Sequence, residues 1–379
     1  MTIAGIVVEY NPLHLGHMHH IEKTKELLTP DVLVAVMSSN VVQRGEFSVV
    51  DKFTRTRWAL QAGVDIVVEL PGAYVLQSAN IFAHTAIQLL NHLGVSDIVF
   101  GSEHGHIDAI KTSAEIMRTH AYDEKIQGYL AGGDSYPVSA HKALKSLSGT
   151  SVHEHPNDIL GIQYINAIHT IGASITPHVI KRIQSGYHEG FHEEKSIQSA
   201  TALRNQWYRG RSIDDYVPSF IRTKKHSPLN TASAYPFMKY RLLTHSAQTL
   251  ADIFSFDDGI EGHFLNNKDA QSLSDLLERL SSKRYTHAKI KRSLMHMLID
   301  TKKDALKDFT IPYARILGMR ESGQRHLNAI KKNISVPLIT KIRRDKHPLL
   351  THELTITRLH DFLNGTTTID EEFKPVIIL

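Results

Sequence analysis

The chain has 379 residues, of which 25 are histidine and none is cysteine, and its formal net charge is +4 at pH 7. The length suggests two domains, or one large domain with an appendage, and the lack of cysteine excludes disulfides, iron–sulfur clusters, cysteine-ligated zinc and thioester chemistry. No apolar run approaches the roughly 18 residues of a membrane span. Residues 1–8 are apolar but lack the basic flank of a signal peptide, so we expect a cytoplasmic protein with no membrane partner.

Short apolar runs alternate with helix-like stretches through the first half of the chain. Five runs rich in Val and Ile are too short for helices and predict strands: residues 3–8, 32–37, 65–70, 97–100 and 175–180. Helical composition follows at 16–28, 52–62 and 80–93. This alternation predicts an α/β fold with a parallel, Rossmann-like sheet, in which ligands bind outside the carboxyl ends of the strands.

The second half of the chain is basic, and its composition predicts mostly helices. Residues 1–205 hold 15 Lys and Arg against 20 Asp and Glu, whereas residues 206–379 hold 28 against 19. We therefore expect two domains, 1–205 and 206–379, and a polyanion such as nucleic acid as partner of the second. A solvated helix face is the alternative. The basic pairs assigned to the binding surface are Lys283 and Arg284, Lys291 and Arg292, Lys331 and Lys332, and Arg343 and Arg344.

The turn after the first predicted strand carries the most informative pattern. It reads Glu9-Tyr10-Asn11-Pro12-Leu13-His14-Leu15-Gly16-His17, and a helix is predicted directly after it. Glycine lets the backbone approach a phosphate, the helix N-terminus directs N–H groups at the anion, and two imidazoles can donate further hydrogen bonds. The pattern predicts a site that stabilises charge on an α-phosphate while pyrophosphate leaves. Two packed or solvent-facing histidines are the alternative.

This turn resembles the HIGH-type motif of the nucleotidyltransferase superfamily. A second mark of that superfamily is a Ser- and Thr-rich turn that precedes a helix and ends in a basic residue touching the triphosphate. Residues 199–204 fit this pattern through Ser199, Thr201 and Arg204. By itself such a stretch is also typical of an ordinary helix N-cap followed by a surface arginine. The two motifs together imply an ATP-binding catalytic domain at 1–205.

Further blocks narrow the resemblance to the bacterial tRNA(Met) cytidine acetate ligase family. They follow one another as in that family: Ser39-Asn40, Gln43-Arg44-Gly45-Glu46, Asp51-Lys52 with Arg55, 65–71, 100–103, 157–161, and Lys181-Arg182 before Gly186-Tyr187-His188. The resemblance implies a ligase that activates acetate with ATP as acetyl-adenylate. It further implies acetyl transfer to N4 of the wobble cytidine of elongator tRNA(Met), giving N4-acetylcytidine. No protein partner is inferred.

The resemblance also implies roles for particular residues. His14 and His17 would be catalytic, and Arg182 would offer phosphate a fixed positive charge. The implied ATP-binding residues are Val7, Val8, Glu9, Tyr10, Asn11, Pro12, Leu13, His14, Leu15, Gly16, His17, His20, Gly101, Ser102, Asn157, Arg182, Ser199, Thr201 and Arg204, with Glu103 beside them. The alternative for Asn157 is a helix N-cap. Mg²⁺ is expected with ATP, but no carboxylate pair identifies its ligands, and no metal-binding residue is assigned.

Three alternatives remain open from the sequence. His188-Glu189-Gly190-Phe191-His192 has the H-E-x-x-H spacing of zinc proteases, although Gly190 disfavours the helix that such a site requires. A nucleotidyltransferase acting on a small phosphorylated metabolite would share the first motif but would not need the basic segment. A non-catalytic RNA-binding protein on a degenerate core is the third alternative.

Overall fold

The first strand, Ile3–Val8, lies in the interior of an eight-stranded sheet. A computed structural model describes residues 1–149, 155–183, 191, 194, 196–257, 259–282, 284–343 and 347–379, apart from the side chain of Pro137. The strands of the sheet are β1 (Ile3–Val8), β2 (Val32–Ser38), β5 (Ile66–Leu70), β6 (Asp97–Ser102), β7 (Thr176–Lys181), β8 (Ala314–Met319), β9 (Leu338–Ile339) and β10 (Ile377–Ile378). A separate antiparallel hairpin joins β3 (Val41–Val42) and β4 (Glu46–Phe47).

The sheet confirms the predicted α/β fold. Its strands are paired in the order β10–β8–β5–β2–β1–β6–β7, with β9 on β8, and the pairs among β5, β2, β1, β6 and β7 are parallel. Every strand predicted from the first half of the chain is present to within a few residues. Parallel strands with connecting helices bring their carboxyl ends to one edge, which is where a ligand is expected.

Sixteen α-helices surround this sheet in the described part of the chain. Those of the first half are α1 (Leu15–Leu28), α2 (Lys52–Gln61), α3 (Gly72–Val75), α4 (Ala79–His92), α5 (Ile107–Ile116), α6 (His120–Ala131), α7 (Tyr136–Ser148), α8 (Pro156–Ile171) and α9 (Ala200–Tyr208). Those of the second half are α10 (Tyr235–Thr244), α11 (Ala247–Ala251), α12 (Ile260–Asn266), α13 (Leu273–Leu280), α14 (His287–Leu298), α15 (Glu321–Ile330) and α16 (Pro348–Asn364). No described helix is both long and apolar enough to cross a bilayer.

Both faces of the sheet are buried, as its nearly uniform apolar strands require. In β1, Ile3 packs into a core shared with α4 and α8, whereas Ala4 and Ile6 pack into a second core shared with α1 and α2. Successive side chains of a strand point to opposite faces, so one short strand contributes to both cores.

The second half of the chain is mostly helical, as predicted, but it also supplies strands that the sequence analysis did not predict. β8 pairs antiparallel with β5 from the first half, and β9 and β10 both pair with β8. β8 is a six-residue buried run, so its pattern alone does not distinguish a strand from the interior of a helix. The boundary near residue 205 stays a prediction, and chain from both sides of it builds one sheet.

A buried ionic cluster joins the two halves of the chain beside β5 and β8. Lys52 on α2 lies 2.5 Å from Glu69 on β5, 2.8 Å from Glu372 and 3.6 Å from Glu353 on α16. Arg315 on β8 lies 2.9 Å from Glu69 and 2.5 Å from Glu372. Burial raises the pKa of Glu353 to about 8, with the charge of Glu69 adding to the effect. A neutral Glu353 leaves two cations facing two carboxylates.

The cluster makes stability depend on pH. Because the pKa of Glu353 is raised on folding, the folded chain holds one more proton than the unfolded chain between about pH 4.5 and about pH 8. The free energy of unfolding therefore falls by up to about 1.4 kcal/mol for each unit that pH rises through that window. Glutamine resembles the protonated acid. In urea unfolding, the free energy of unfolding of Glu353→Gln should therefore fall less steeply with rising pH than that of the wild type.

The control for this measurement is Glu321→Gln, which removes an exposed carboxylate paired with Arg325. It should keep the wild-type dependence on pH. Equal slopes for Glu353→Gln and the wild type between pH 5 and 8 would show that Glu353 is ionised in the folded protein.

Candidate active site

A cavity of about 320 Å³ opens at the carboxyl ends of β1, β6 and β7. This is the sheet edge at which the strand order predicts a ligand. The predicted residues that line it are Val7, Val8, Glu9, Tyr10, Asn11, His14, Gly16, His17, His20, Gly101, Asn157, Arg182, Ser199, Thr201 and Arg204. Both predicted motifs therefore meet in one cavity, although nearly 190 residues separate them in the sequence.

The turn between β1 and α1 is stabilised by its own imidazoles. His14 is the N-cap of α1, and its Nδ1 accepts a hydrogen bond from the Gly16 backbone N–H at 3.0 Å. His17, three residues later, accepts the His14 backbone N–H at its own Nδ1 at 3.2 Å. The two rings stack with their centroids 3.8 Å apart. This reciprocal arrangement is a capping box in which histidines replace the usual hydroxyl and carboxylate.

These hydrogen bonds determine the tautomer of both rings. A nitrogen that accepts a hydrogen bond carries no proton, so each neutral imidazole holds its proton on Nε2. Burial lowers the pKa of His14 to about 3, with Arg182 and Arg204 adding to the effect. Burial, followed by the neighbouring His14, also lowers the pKa of His17 well below its usual value. Both rings are therefore neutral hydrogen-bond donors at physiological pH.

The backbone of this turn leaves no room for larger side chains. A Cβ on Gly16 would lie 2.9 Å from Cε1 of His14 and 3.2 Å from the side chain of Ile197. Tyr10 adopts a left-handed backbone conformation with φ of 49°, which is uncommon for a bulky residue. The peptide between Asn11 and Pro12 is cis.

Side chains from other elements hold the turn in place. The Asn11 side-chain oxygen accepts the Val49 N–H at 2.8 Å, and the Asn11 carbonyl accepts from Arg204 at 2.9 Å. Arg55, fully buried on α2, donates to the Glu9 carbonyl at 2.7 Å and to the carbonyls of Ser38 and Val50. Arg204 therefore links the second motif directly to the first, since α9 begins at the Ser199 N-cap.

The opposite wall of the cavity is built by the ends of β6 and β7 and the start of α8. Asn157 donates to the Glu103 carboxylate, and Arg182 lies 4.0 Å from the same carboxylate. The N-cap of α8 is His155, so Asn157 does not cap this helix. Gly101 allows the Arg182 side chain to pack closely against the end of β6, because a Cβ at position 101 would lie 3.3 Å from Cγ of Arg182.

Four predicted residues do not line the cavity. Pro12 and Leu13 are buried behind the turn, and Leu15 lies on α1 away from the cavity wall. The Ser102 hydroxyl donates to the buried carboxylate of Asp158 and accepts the Gly105 N–H at 2.7 Å. Ser102 therefore organises the loop after β6 and is not available to a ligand.

Several cavity residues were missed by the sequence analysis or received no role in it. Leu160 and Tyr164 follow Asn157 at helical spacing on α8, a pattern that places all three on one face and that could have identified them. Phe82 and Phe100 supply further apolar wall. The β3–β4 hairpin and its surroundings add Val42, Gln43, Arg44 and Glu46.

Two carboxylates and a third histidine complete the polar surface. Glu9 accepts the Gln43 N–H at 2.7 Å, and burial raises its pKa. Glu46 is paired with Lys291 at 2.5 Å. Burial lowers the pKa of His20 to about 4, and its Nε2 is buried without a hydrogen-bond partner among the described residues. No group of three His, Cys, Asp or Glu in the described chain could hold a metal ion.

The predicted basic pairs are dispersed over the second half of the chain. Lys291 and Arg292 lie on α14, next to the β3–β4 hairpin of the cavity wall. Arg284 is exposed against the Tyr285 ring, and the other described members, Lys331, Lys332 and Arg343, are exposed. Lys283 and Arg344 lie outside the described residues, as do both histidines of the H-E-x-x-H pattern, His188 and His192.

The chain is similar to known proteins over most of its length. Residues 1–373 match the family model described as HIGH nucleotidyl transferase. The tRNA(Met) cytidine acetate ligase of Geobacillus sp. strain WCH70 is 39% identical over 366 residues, which covers 92% of this chain and 90% of that protein. The protein of the same name from Listeria monocytogenes serotype 4b strain CLIP80459 is 37% identical, with 100% of both chains covered.

Two solved structures share the whole fold. The crystal structure of Thermotoga maritima TmcAL bound with alpha-thio ATP superposes with a TM-score of 0.87, and the apo form of the same protein with 0.90. Each is 29% identical in sequence and covers 100% of both chains.

The tautomers of His14 and His17 can be measured directly. Long-range ¹H–¹⁵N spectra of labelled protein should show both rings neutral, with the proton on Nε2, from pH 8 down to about pH 5. The variant His14→Asn assigns the His14 signals and keeps a good N-cap residue at the start of α1. Imidazolium signals from either ring above pH 6 would contradict the hydrogen bonding described here.

Proposed function

The chain belongs to the tRNA(Met) cytidine acetate ligase family, and we propose that its cavity joins acetate to ATP and passes the acetyl group to N4 of the wobble cytidine of elongator tRNA(Met). The activity itself is ATP-dependent acetylation of a tRNA cytidine. The observation that best supports the proposed chemistry is the capped turn of His14, Gly16 and His17, which presents neutral donors at a helix N-terminus.

In the first proposed step, acetate attacks the α-phosphorus of ATP. A carboxylate oxygen forms the new P–O bond, the bond to the β-phosphate breaks, and pyrophosphate leaves with the electron pair. Negative charge develops on the α-phosphate and on the leaving group. The Nε2–H groups of His14 and His17 and the guanidinium groups of Arg182 and Arg204, which all line the cavity, would stabilise that charge.

Neutral imidazoles suit this role because they need no proton transfer. Acetate is already an anion near neutral pH and is itself the nucleophile, so the first step requires no general base. The guanidinium groups keep their charge over the same range. The adenylate then presents an acyl carbon with AMP as a good leaving group.

In the second proposed step, the exocyclic N4 of cytidine attacks that carbon. The C–N bond forms, the C–O bond to AMP breaks and AMP leaves with the electron pair, and the proton lost from N4 passes to the departing phosphate or to solvent. The cytosine amino group is a weak nucleophile because its lone pair is conjugated with the ring, which is why an activated acyl donor is needed. The apolar wall of Phe82, Phe100 and Leu160 offers a surface for a flat base or ring.

Mg²⁺ is expected to accompany ATP. The described residues contain no three-residue ligand group for it, and the cavity carboxylate Glu46 is paired with Lys291. This arrangement fits a Mg²⁺ ion that enters bound to the phosphates of ATP and retains water ligands, and does not fit one coordinated only by protein side chains. We assign no step of the reaction to it.

The basic pairs of the second half are the proposed surface for tRNA, and a tRNA substrate supports a cytoplasmic location. Of the described pairs, Lys291 and Arg292 border the cavity wall through the β3–β4 hairpin. A small phosphorylated metabolite would not need this surface, which is the reason to prefer the tRNA reaction over that alternative.

The first step is tested by exchange of labelled pyrophosphate into ATP. The wild type should catalyse exchange only when acetate is present, and His17→Ala should reduce the rate by about 100-fold or more, because it removes a donor to the developing charge. The matched control is His120→Ala, at an exposed histidine on α6. Labelled acetate should then enter a tRNA(Met) transcript but not a transcript with uridine at the wobble position. Exchange without acetate, or full exchange in His17→Ala, would refute the scheme.

The close approach at Gly16 gives a second test. Gly16→Ala adds a Cβ in conflict with the His14 ring and should weaken ATP binding by about 10- to 100-fold, measured by calorimetry. Gly128→Ala is the control, because nothing lies within 4 Å of its Cβ position and alanine favours helix α6 by about 1 kcal/mol. Unchanged ATP affinity in Gly16→Ala would mean that the turn does not approach the nucleotide.

A further inference from the structure

The second half of the chain exposes a cluster of large apolar side chains where α10 meets α16. Its members are Phe237, Tyr240 and Leu243 on α10 and Phe362 on α16, and we call them the aromatic patch. The rings of Phe237 and Phe362 pack edge to face with their centroids 5.3 Å apart, and Tyr240 follows Phe237 at the spacing of neighbours on a helix. Tyr240 is nevertheless 64% exposed and Phe362 67%. Single exposed apolar residues are ordinary, whereas a cluster of them marks a binding surface.

The charges that α10 and α16 bring to the surface are all basic. They belong to Lys239, Arg241 and Arg358, and Arg358 lies one helical turn before Phe362 on the same face of α16. The two acids of these helices are buried. Glu353 belongs to the ionic cluster around Lys52, and the Asp361 carboxylate accepts hydrogen bonds from two threonine hydroxyls and a backbone N–H. The patch therefore offers aromatic rings in a positive environment.

Strand β4 connects the aromatic patch to the cavity. Glu46 lines the cavity, and the backbone N–H of the next residue, Phe47, donates to the Thr231 hydroxyl at 2.8 Å in the turn that leads into α10. The Phe47 ring also lies against the His360 ring of α16, with the centroids 6.2 Å apart. The β3–β4 hairpin thus contacts the cavity on one side and the helices of the patch on the other. A ligand that extends over several nucleotides can reach both.

Exposed aromatic rings beside fixed positive charges are suited to unpaired RNA, because bases stack on the rings while the cations attract the backbone. We propose that Tyr240 and Phe362 stack unpaired bases of the RNA whose cytidine enters the cavity, and that Arg358 binds its phosphate backbone. This inference rests on the proposed function. It adds a contact with the bases to the phosphate contacts proposed for the basic pairs.

A second copy of the chain fits the aromatic patch less well than RNA does. A two-fold contact uses the same surface on both copies, so the basic groups of α10 and α16 on one copy would lie near those of the other. Like charges brought together without an acid between them oppose association. RNA supplies the missing negative charge together with flat rings that match the exposed aromatic faces.

The test measures binding of tRNA(Met) to the full-length protein with Tyr240→Leu or Phe362→Leu. Leucine keeps an apolar side chain but removes the ring, so each variant should raise the dissociation constant about 10-fold without changing its salt dependence. Tyr240→Trp should retain wild-type affinity. Arg358→Gln should reduce by about 1 the slope of the logarithm of affinity against the logarithm of salt concentration. The matched control is Tyr136→Leu, which alters a tyrosine that is 60% exposed on α7 and should change binding by less than about 2-fold.

Fluorescence of Tyr240→Trp reports stacking directly. Trp58 and Trp207 are both buried, so the indole introduced at position 240 is the exposed one. A single-stranded oligonucleotide with the sequence of the anticodon loop should quench its emission, and a duplex of equal length should quench it far less. Equal quenching by the two RNAs would contradict stacking of unpaired bases.

Other outcomes would also overturn the proposal. Unchanged tRNA affinity in both patch variants would show that the aromatic patch does not bind RNA, and an equal loss in Tyr136→Leu would show a non-specific effect. Loss of a dimer in sedimentation, with tRNA binding unchanged, would assign the patch to a second copy, and loss of binding to phosphatidylglycerol vesicles would assign it to a membrane surface. Pyrophosphate exchange uses no RNA and should keep its wild-type rate in both variants, so a reduced rate would indicate a structural role. Failure of wild-type acetate-dependent exchange would instead count against the proposed function.

Discussion

The buried cluster around Lys52 is the interaction on which the rest of the structure depends. Ions taken out of water are stable only when their partners are in place, so Glu69 on β5 and Arg315 on β8 must meet for either to be tolerated. This requirement keeps β8 beside β5 and attaches the basic half to the nucleotide-binding sheet. α14 then packs against the β3–β4 hairpin, and the basic segment has a fixed position relative to the cavity.

Two kinds of group provide positive electrostatic potential around the cavity. At the turn after β1, neutral imidazoles and the N-terminus of α1 provide partial charges whose strength does not vary with pH, while Arg204 adds a permanent charge. At the hairpin, charged side chains from the two halves of the chain meet, and Lys291 pairs with Glu46. Donors that need no proton transfer suit a group whose charge changes during a reaction.

Local patterns predicted what depends on local structure. The strands of the first half, the start of α1 and the Ser199 cap follow from apolar runs and N-cap residues within a few positions. β8 could not be assigned, because a strand is defined by its partner, and its partner lies about 250 residues away. The buried cluster was missed for the same reason. Ser102 shows the opposite difficulty: it lies at the predicted edge of the sheet, as the last residue of β6, but its hydroxyl donates to Asp158.

The imidazole capping box has a consequence for a chain so rich in histidine. The Nδ1 lone pairs of His14 and His17 are both engaged by backbone N–H groups, and their Nε2 atoms carry protons. Neither ring therefore has a lone pair with which to coordinate zinc, nickel or copper, or to accept a proton from a substrate. Two adjacent histidines in an open cavity would ordinarily invite such metals. Here the fold of a single turn converts them into donors and keeps the site free for phosphate.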